Sequence, residues 1–364
     1  SISNSRVGIR GVNMKITLTT QPKQKPDSSK LGFGKYFTDH MLVMDYENGA
    51  WKEPEILPYA PFAIAPATNI FHYAQGIFEG AKAYKTKEGK ITVFRIDDNF
   101  ARMNKSATRL CMPNFDAKVV KDALFELIKL EKDWIPTEPG TALYIRPTLI
   151  ANEEVLGVHA SKKYRFFIIL SPVGSYYAHG LQPTKILVEE NLVRASIGGT
   201  GEAKCMGNYA ASLMGGEIAN SKGYDQALWL DSSEHKYVEE VGSMNMFFVI
   251  GDEVVTPALV GSILDGITRR SCIQVLKKYG YKISERRISM DEIVDAYDKG
   301  MLKESFGSGT AAVISPVGTI SYKGKDMVIN NGKMGEITSF LYDKITGIQS
   351  ERYEDEFGWV TEIK

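Results

Sequence analysis

Short segments that read as β-strands alternate with amphipathic helical segments along the whole of this 364-residue chain. In the segment 98–111, for example, Met103, Ala107 and Leu110 recur at helical spacing, and Pro113 ends the helix. The alternation follows no regular strand–helix–strand beat. We therefore expect a mixed α/β (α+β) chain that divides into two α/β domains with a cleft between them.

The individual elements follow from periodicity and from Gly and Pro punctuation. Strands are predicted at 38–46, 91–94, 142–149, 165–171 and 185–189, in a strand-rich block at 226–256, and again within 304–321. Helices are predicted at 98–111, 119–132, 209–222, 268–279 and 290–299.

The domain boundaries rest on composition. Residues 174–183 lie in a stretch rich in Gly, Pro and small residues and are the predicted interdomain linker. A small α/β domain is expected at 14–173 and a large α/β domain at 184–364. Residues 1–13 precede Met14 and lack the apolar stretch of a signal peptide, so they are expected to be an added leader. The polar, lysine-rich residues 15–32 are expected to form an extended arm.

Charge and cysteine usage exclude several classes of protein. Lys and Arg number 44, as do Asp and Glu, so neither a nucleic-acid nor a membrane-surface partner is indicated. The five histidines include no pair at metal-ligand spacing, and no metal site is predicted. No apolar run approaches the roughly 20 residues that cross a bilayer. Three widely spaced cysteines imply no disulfide framework and fit a reducing cytoplasm.

A glycine-rich run at 198–209, GGTGEAKCMGNY, contains the main candidate for a reactive group. Its glycines permit sharp turns and close approach of the backbone to a ligand. Burial or a nearby cation readily lowers the pKa of a lysine, which makes Lys204 a candidate Schiff-base residue. Tyr209 is close enough along the chain to hydrogen-bond a group formed there. Taken alone, the run more often indicates an exposed loop lysine.

Two segments resemble nucleotide-binding motifs but do not match them in full. Residues 199–204 resemble a P-loop, but that motif requires a Ser or Thr after the lysine, and Cys205 follows Lys204. Residues 307–312, GSGTAA, match a relaxed dinucleotide fingerprint, but a strand-like segment interrupted by Pro316 follows instead of a helix. A nicotinamide-dependent dehydrogenase is therefore the weaker alternative.

Three further segments carry chemistry that pyridoxal phosphate requires. Glu240 lies in an apolar, glycine-containing segment, and a carboxylate beside a pyridine nitrogen makes the ring an electron sink. Residues 264–269 open a helix whose N–H groups offer a phosphate seat, with the Thr268 hydroxyl beside them. Arg102 could clamp the same phosphate. Taken alone, Glu240 is equally well explained as a solvent-facing residue, and Arg102 is more often a surface arginine.

Together and in this order, these segments resemble the branched-chain amino acid aminotransferases, which are fold type IV pyridoxal-phosphate enzymes. The resemblance extends from residue 33 to about residue 357. Its motifs are 73–80 (YAQGIFEG), 143–147 (LYIRP), 156–158 (LGV), 198–209, 240–245 (EVGSMN) and 306–311 (FGSGTA). It implies ping-pong, reversible transfer of the amino group of leucine, isoleucine or valine to 2-oxoglutarate, with pyridoxal 5'-phosphate as cofactor and the active site in the interdomain cleft.

The resemblance also implies roles for the matching residues. Lys204 carries the cofactor and shuttles the proton, Glu240 faces the pyridine nitrogen, and Tyr209 bonds the phenolic oxygen. The phosphate is held by Arg102, Ile267, Thr268 and Thr310. The substrate pocket comprises Phe33, Tyr73, Phe78, Tyr144, Tyr176, Ser243, Thr310 and Ala311, with Arg146 for the distal carboxylate of glutamate and Leu156 and Val158 reaching the pocket from the partner subunit of a homodimer.

Two departures from the family pattern, and two further alternatives, remain. Ala312 and Ser315 stand where mammalian members carry a Cys-x-x-Cys pair, so that form of thiol regulation is not expected. Ser243 stands where threonine is common, which removes a methyl group from the pocket. A D-amino acid aminotransferase or an aminodeoxychorismate lyase of the same fold is the nearer alternative. A non-catalytic binding protein is disfavoured by the intact Lys204, Glu240 and Arg102.

Overall fold

The structure is a computed structural model that describes residues 4–177 and 180–364. The chain forms two compact units, each discontinuous in sequence. Unit 1 comprises Ser1–Tyr176, Lys204–Met206 and Gln349–Lys364, and unit 2 comprises Tyr177–Ala203 and Gly207–Ile348. Residues 1–3 of the predicted leader and residues 178 and 179 of the predicted linker lie outside the described residues. The domain boundaries inferred from composition stay a prediction.

Unit 1 is built on one 11-stranded sheet. Its elements are β1 (Asn4–Ile9), β2 (Val12–Thr17), β3 (His40–Glu47), β4 (Ala50–Trp51), β5 (Glu55–Pro58), α1 (Ile70–Tyr73), β6 (Gly76–Phe78), β7 (Ala81–Lys85), β8 (Ile91–Phe94), α2 (Ile96–Arg109), α3 (Ala117–Leu130), β9 (Ala142–Ala151), β10 (Tyr164–Val173) and, at the end of the chain, β20 (Val360–Ile363). The strand order is β1-β2-β5-β3-β10-β9-β7-β8-β20, with β4 paired to β3 and β6 paired to β9.

Most strand pairs of unit 1 are antiparallel, and one helix pair packs with the sheet. Strands β9 and β10 pair over their full length, from Ala142↔Val173 to Ala151↔Tyr164. Strands β2 and β5 are parallel. Apolar residues of α2 and α3, including Phe100 and Leu124, are fully buried in one cluster with strand residues such as Phe166. This core fixes the positions of α2, β6 and β9, which carry candidate site residues.

Unit 2 is built on a nine-stranded sheet. Its elements are β11 (Thr184–Val188), α4 (Met206–Ala211), α5 (Leu213–Ser221), β12 (Gln226–Leu230), β13 (Val238–Val241), β14 (Met244–Ile250), β15 (Glu253–Thr256), α6 (Ile267–Lys278), β16 (Lys282–Glu285), α7 (Met290–Asp298), β17 (Leu302–Gly309), β18 (Val313–Tyr322), β19 (Lys325–Val328) and α8 (Glu336–Gln349), of which α4 and α8 each overlap unit 1 by one residue. The order is β13-β12-β11-β18-β17-β14-β15-β16, and an additional pairing of β13 with β14 closes a ring of six strands.

The mixed α/β class is confirmed, and so are the elements with clear periodicity. The predicted strands at 91–94, 142–149 and 165–171 correspond to β8, β9 and β10, and the predicted helices at 98–111 and 119–132 correspond to α2 and α3, each shifted by two residues. The strand-like reading after residue 312, which counted against a dinucleotide site, is confirmed by β18.

Some elements differ from prediction or were not predicted, among them the following. The predicted helix at 209–222 is two helices, because the Ser212 N–H and Oγ both donate to the Tyr209 carbonyl (3.2 and 2.7 Å) and tighten the chain to an i→i+3 turn. The extended arm predicted from residue 15 begins later, since β2 pairs with β1 and β5. Helix α8 was not predicted; its first turn is capped by the Glu304 side chain, which accepts from the Ile337 and Thr338 N–H groups.

Candidate active site

Lys204 is anchored by its main chain to unit 1. Its N–H donates to Ser106 Oγ on α2 (2.9 Å), and its carbonyl accepts from the Phe78 N–H at the end of β6 (3.1 Å). The next residue, Cys205, forms an isolated bridge with Ile77. The ammonium group lies 4.7 Å from the centroid of the Phe78 ring. The lysine predicted to react is therefore fixed at its backbone, against a residue predicted to line the substrate pocket.

Arg102 is buried on α2 and is oriented by Glu79, a residue that the sequence analysis did not single out. The Arg102 Nε donates to Glu79 Oε2 (2.8 Å) and Nη2 donates to Oε1 (2.7 Å). Asn99, one turn earlier on α2, donates to the same Oε1 (2.9 Å). A bidentate contact fixes both the position and the plane of a guanidinium group. The only signal for Glu79 in the sequence is its place inside the 73–80 motif.

Arg146 lies on β9 among the aromatic residues predicted to surround it. Its Nη2 donates to the Tyr144 hydroxyl (2.8 Å) and its Nε donates to the Glu79 carbonyl (2.9 Å). The guanidinium carbon is 4.7 Å from the Phe78 centroid and 5.2 Å from that of Tyr144. The Phe33 ring meets Tyr144 edge-on at 4.9 Å. The structure thus brings together the predicted arginine and three members of the predicted apolar wall.

Gly80 lets Tyr144 reach Arg146. A Cβ at residue 80 would lie 2.1 Å from the Tyr144 hydroxyl, closer than any side chain permits. Only glycine accommodates the hydroxyl in this place. The glycine that ends the 73–80 motif is therefore required by the tyrosine of the 143–147 motif.

The remaining predicted pocket residues of unit 1 are exposed. The Tyr73 hydroxyl donates to the Leu156 carbonyl. The Leu156 and Val158 side chains are 62% and 81% exposed, and Tyr176 is also exposed. Exposed apolar side chains on one loop are typical of a surface that another molecule covers.

Glu240 lies on β13 in unit 2 and is held by two donors. Arg194 Nη2 and the Leu264 N–H each lie 3.0 Å from its Oε2. The Arg194 and Glu240 side chains are only 8% and 4% exposed. Arg194, which the sequence analysis missed, also donates to the carbonyls of Ser262 and Gly201. The cation and the N–H group stabilise negative charge on this buried carboxylate.

Glu240 and two other predicted residues, Tyr209 and Ser243, line one small cavity of unit 2, with room for about one water molecule. The other lining residues are Arg194, Gly201, Ala203, Asn208, Ser212, Gly242 and Leu264. The structure thereby groups a predicted ring-nitrogen partner, a predicted phenol partner and a predicted pocket residue.

Glu239 precedes Glu240 and differs from it in environment. Its carboxyl accepts from Ser262 Oγ (2.5 Å), and burial raises its pKa although that hydrogen bond opposes the shift. Glu240, in contrast, accepts directly from a guanidinium group. Of the two adjacent glutamates, Glu240 has the surroundings of an ionised carboxylate.

The predicted phosphate seat begins helix α6. Gly266 is its N-cap, with no side-chain hydrogen bond to the first turn, and Ile267 and Thr268 are buried at its start. Glu240 accepts from the Leu264 N–H, and Asn245 Nδ2 donates to the Leu264 carbonyl (3.0 Å). The segment leading into the helix is therefore held by side chains of β13 and β14. Thr310 and Ala311 occupy the turn between β17 and β18.

Each unit, taken by itself, contains groups that suit a phosphorylated pyridine aldehyde. Unit 1 contains an amine and a buried, oriented arginine. Unit 2 contains a buried carboxylate, a tyrosine and a helix start without a side-chain cap. An anion is favoured at such a helix start and a protonated ring nitrogen beside such a carboxylate. Among residues 4–177 and 180–364, no cluster of His, Cys, Asp or Glu could hold a metal ion, and no helix is long and apolar enough to span a membrane.

Comparison with known proteins identifies the family. Residues 76–320, more than half of the chain, match the family model described as amino-transferase class IV. The chain therefore belongs to the class IV aminotransferases.

Full-length relatives narrow this assignment. The chain is 52% identical to branched-chain-amino-acid aminotransferase 2 of Bacillus subtilis over 351 residues, covering 96% of this chain and 97% of that one. It is 55% identical to a probable branched-chain-amino-acid aminotransferase of Staphylococcus epidermidis over 343 residues, covering 94% and 96%. Within its family, the chain is a member of the branched-chain amino acid aminotransferases, which confirms the resemblance seen in its motifs.

Solved structures agree with this assignment. The Escherichia coli branched-chain amino acid aminotransferase superposes with a TM-score of 0.75 at 25% identity, covering 90% of this chain and 99% of that one. Another branched-chain amino acid aminotransferase, complexed with N-(5'-phosphopyridoxyl)-L-glutamate, gives a TM-score of 0.72 at 26% identity, covering 88% and 98%. Class IV aminotransferases use pyridoxal phosphate, so the chain is a pyridoxal-phosphate-dependent transaminase of the expected fold type IV.

Proposed function

We propose that this enzyme reversibly transfers the amino group of L-leucine, L-isoleucine or L-valine to 2-oxoglutarate, giving the branched 2-oxo acid and L-glutamate. The observation that carries this proposal is Arg146, held among Phe33, Phe78 and Tyr144. One pocket must accept an apolar side chain in one half-reaction and a carboxylate in the other. Aromatic walls serve the first, and an arginine at their edge serves the second.

Lys204 is the proposed catalytic residue. Pyridoxal phosphate, when bound, supplies an electron sink for charge that develops at the substrate α-carbon. The Lys204 amine holds the cofactor, and once released by the incoming amino acid it moves the α-proton. Its main-chain bonds to Ser106 and Phe78 keep the start of the side chain fixed while the amine changes partner.

The other cofactor contacts are proposed from their surroundings. Glu240, stabilised as an anion by Arg194, faces the pyridine nitrogen. Tyr209 lines the same small cavity as Glu240, and its hydroxyl would donate to the phenolic oxygen. The phosphate is held by the Arg102 guanidinium, the first N–H groups and hydroxyl of α6, and a turn hydroxyl, that is, by Arg102, Ile267, Thr268 and Thr310.

The substrate contacts follow the same logic. The N–H groups of the Thr310–Ala311 turn donate to the α-carboxylate, and Arg146 donates to the distal carboxylate of glutamate. The apolar wall consists of Phe33, Tyr73, Phe78, Tyr144, Tyr176, Ser243 and Ala311. Discrimination among leucine, isoleucine and valine is expected to be weak, since one methylene is worth only about 1–3 kcal/mol in an apolar pocket.

A homodimer is part of the proposal. Leu156 and Val158 are the exposed apolar residues of a loop whose carbonyl accepts from Tyr73, a proposed pocket residue. A second copy of the chain would cover this loop and receive it at its own pocket. The expected measurement is a mass of twice 40.5 kDa in solution. A monomer with full activity would contradict this part of the proposal.

A cytoplasmic location is also proposed. Cys111, Cys205 and Cys272 are all free thiols, and Cys111 is exposed. Free thiols persist in reducing compartments. Cell fractionation that recovers the enzyme with an oxidising compartment would contradict this location.

The proposed chemistry is tested by trapping the cofactor. The purified holoenzyme should be yellow, and borohydride should fix the cofactor to Lys204 as a secondary amine that mass spectrometry locates. An adduct on another lysine would overturn the assignment. A coupled assay should show transfer from all three branched-chain L-amino acids to 2-oxoglutarate, and Lys204→Ala should abolish it. Preference for D-amino donors would instead indicate a D-amino acid aminotransferase.

A further inference from the structure

Glu79 contacts both of the arginines for which an anion-binding role is proposed. Its side chain is fully buried. The carboxylate receives Arg102 through two hydrogen bonds, 2.8 Å to Oε2 and 2.7 Å to Oε1. The carbonyl of the same residue receives Arg146 Nε at 2.9 Å. One residue therefore joins the proposed cofactor-phosphate arginine to the proposed substrate arginine.

The Glu79–Gly80 peptide has little freedom to move. The Glu79 N–H donates to the Pro147 carbonyl on β9 (2.9 Å). Asn99 Nδ2 on α2 donates to the Gly80 carbonyl (3.0 Å) as well as to Glu79 Oε1 (2.9 Å). The peptide is thus hydrogen-bonded to both α2 and β9, and we expect a change in the Glu79 side-chain contacts to shift its carbonyl.

We propose that Glu79 is a positioning residue that sets the orientation of Arg102 and Arg146 together. This inference rests on the proposed roles of the two arginines. A guanidinium held bidentately is pre-organised for a second anion, because less side-chain freedom is lost when that anion binds. Arg146 donates to the Glu79 carbonyl. Its position therefore depends on the Glu79–Gly80 peptide, which is held in place through the Glu79 carboxylate and Asn99.

A purely structural role makes a different prediction. If Glu79 served only to neutralise a buried cation, its replacement would lower stability. The rate of cofactor release and the preference between 2-oxoglutarate and leucine would then stay unchanged. If its negative charge mainly opposed the phosphate, its removal would make the holoenzyme retain the cofactor longer. A positioning role predicts faster loss of the cofactor and a selective defect toward the dicarboxylate substrate.

The experiment uses Glu79→Gln holoenzyme, which preserves side-chain volume and removes the charge. Release of pyridoxal phosphate is followed by absorbance after dilution, and KM values for 2-oxoglutarate and for leucine are measured with saturating cofactor. We expect release about tenfold faster, a factor equivalent to about 1.4 kcal/mol. We expect the KM for 2-oxoglutarate to rise about fivefold and that for leucine to change less than about twofold, a difference of about 0.5–1 kcal/mol.

Glu131→Gln is the matched control. Glu131 is a buried carboxylate of the same unit, but it accepts from the backbone N–H and Nδ1 of His40 rather than from an arginine. Its replacement should leave cofactor release and the ratio of the two KM values unchanged.

A second variant covers a failure of Glu79→Gln to fold. Asn99→Ser removes the amide that holds Glu79 Oε1 and the Gly80 carbonyl without altering either arginine. The same two effects should appear, each smaller. Unchanged release and an unchanged KM ratio in the folded variants would overturn the proposal, as would slower release.

The outcome for Glu79 is separable from that of the proposed function. Arg146→Met should raise the KM for 2-oxoglutarate in the same assay. If it does not, the proposed pocket is wrong. If it does, while the Glu79 and Asn99 variants retain a normal KM ratio, the pocket stands and the positioning role is wrong.

Discussion

The ion pair between Arg194 and Glu240 illustrates how the charge of a buried residue depends on its partner. Both side chains are almost fully buried, and Arg194 also binds the carbonyls of Ser262 and Gly201. Removing one partner of a buried pair leaves the other charge uncompensated, which costs far more than the pair itself is worth. The negative charge of Glu240, the proposed partner of the ring nitrogen, thus depends on Arg194 as well as on Glu240 itself.

Arg194→Met should therefore destabilise the enzyme by about 3–5 kcal/mol. The measurement is the free energy of unfolding in urea. Arg165→Met is the control, because Arg165 also pairs with a carboxylate, Asp45, but both of these side chains are about a quarter exposed. That loss should be at most about 1 kcal/mol. Equal losses for the two variants would contradict the argument.

Lys82 should give the stability of the enzyme a pH dependence. Burial lowers the pKa of this lysine on β7 from 10.5 to about 8. Between these values the unfolded chain binds more protons than the folded one, so this residue makes stability rise with pH from about 8 to 10.5. Below about pH 8 the cost of holding the charged form is fully present.

Lys82→Met should accordingly stabilise the enzyme at pH 7, by roughly 2 kcal/mol after allowance for partial solvent screening. The gain should shrink as the pH rises and vanish near 10.5. Unfolding in urea at several pH values is the measurement, and Lys87→Met in an exposed loop is the control. A gain that is independent of pH would show that apolar packing, not the charge, is responsible.

At the residue scale, the sequence indicates candidate reactive groups more readily than the partners that support them. Lys204 and Glu240 stand in recognisable segments, and the structure places Glu240 in the surroundings that its proposed role requires. Arg194 carries no local signal, and Glu79 carries only its place inside the 73–80 motif, because their contacts span 46 and 23 residues of chain and exist only after folding. Tertiary hydrogen bonds of this kind are not encoded in any short pattern.

At the scale of elements, the glycine-rich run is closely packed before Lys204, at Gly201, and open after it, at Gly207. A Cβ at Gly201 would lie 2.3 Å from the Ser262 carbonyl oxygen and 2.5 Å from the Ala195 Cβ. A Cβ at Gly207, in α4, would meet nothing within 4 Å. The two glycines flank Lys204 at equal distances along the chain, so they form a natural pair for comparison.

Gly201→Ala should cost about 1–3 kcal/mol through overpacking. Gly207→Ala should instead be neutral or stabilise α4 by about 0.5–1 kcal/mol, because alanine loses less backbone entropy in a helix. Thermal unfolding of the two variants beside the parent enzyme is the measurement. Similar losses for both would mean that backbone flexibility around Lys204, rather than packing at Gly201, governs stability.

Elements were predictable where periodicity or punctuation was local. Helices α2 and α3 show apolar residues at helical spacing, and α6 ends before Gly280, whose φ of +82° suits glycine alone. Helix α8 was missed because the group that caps its first turn, Glu304, lies 34 residues before the Thr338 N–H that it accepts. The break at Ser212 was missed because a side-chain hydroxyl competes there with helical bonding.

At the scale of the whole molecule, cofactor binding should be visible in stability. A ligand that binds only the folded protein stabilises it by about 2.7 kcal/mol when present at about 100 times its Kd. The midpoint of thermal unfolding should therefore rise with added pyridoxal phosphate. Lys204→Ala, which cannot bond the cofactor covalently, should show a smaller rise. A midpoint that is insensitive to the cofactor in the parent enzyme would contradict the proposed binding residues.

The overall class could be predicted, whereas the strand order could not. Alternation of strands and helices indicated a mixed α/β chain, as observed. The pairing of β20 with β8, in which Val360 faces Phe94, joins residues more than 200 positions apart. Such pairings depend on the twist and packing of the entire sheet and leave no mark on the strands taken singly.

The chain path has a consequence for how this enzyme can be divided. Unit 1 includes Lys204–Met206 and Gln349–Lys364, although each of these segments follows a stretch of chain that belongs to unit 2. A gene fragment that ends at Tyr176 therefore encodes Arg102 and Arg146 but neither the proposed reactive amine of Lys204 nor β20. No single cut yields either unit intact. If related genes exchanged halves at that point, Lys204 and Ser106, whose hydroxyl accepts from the Lys204 N–H, would come from different parents. A chimera should therefore take both residues from the same parent.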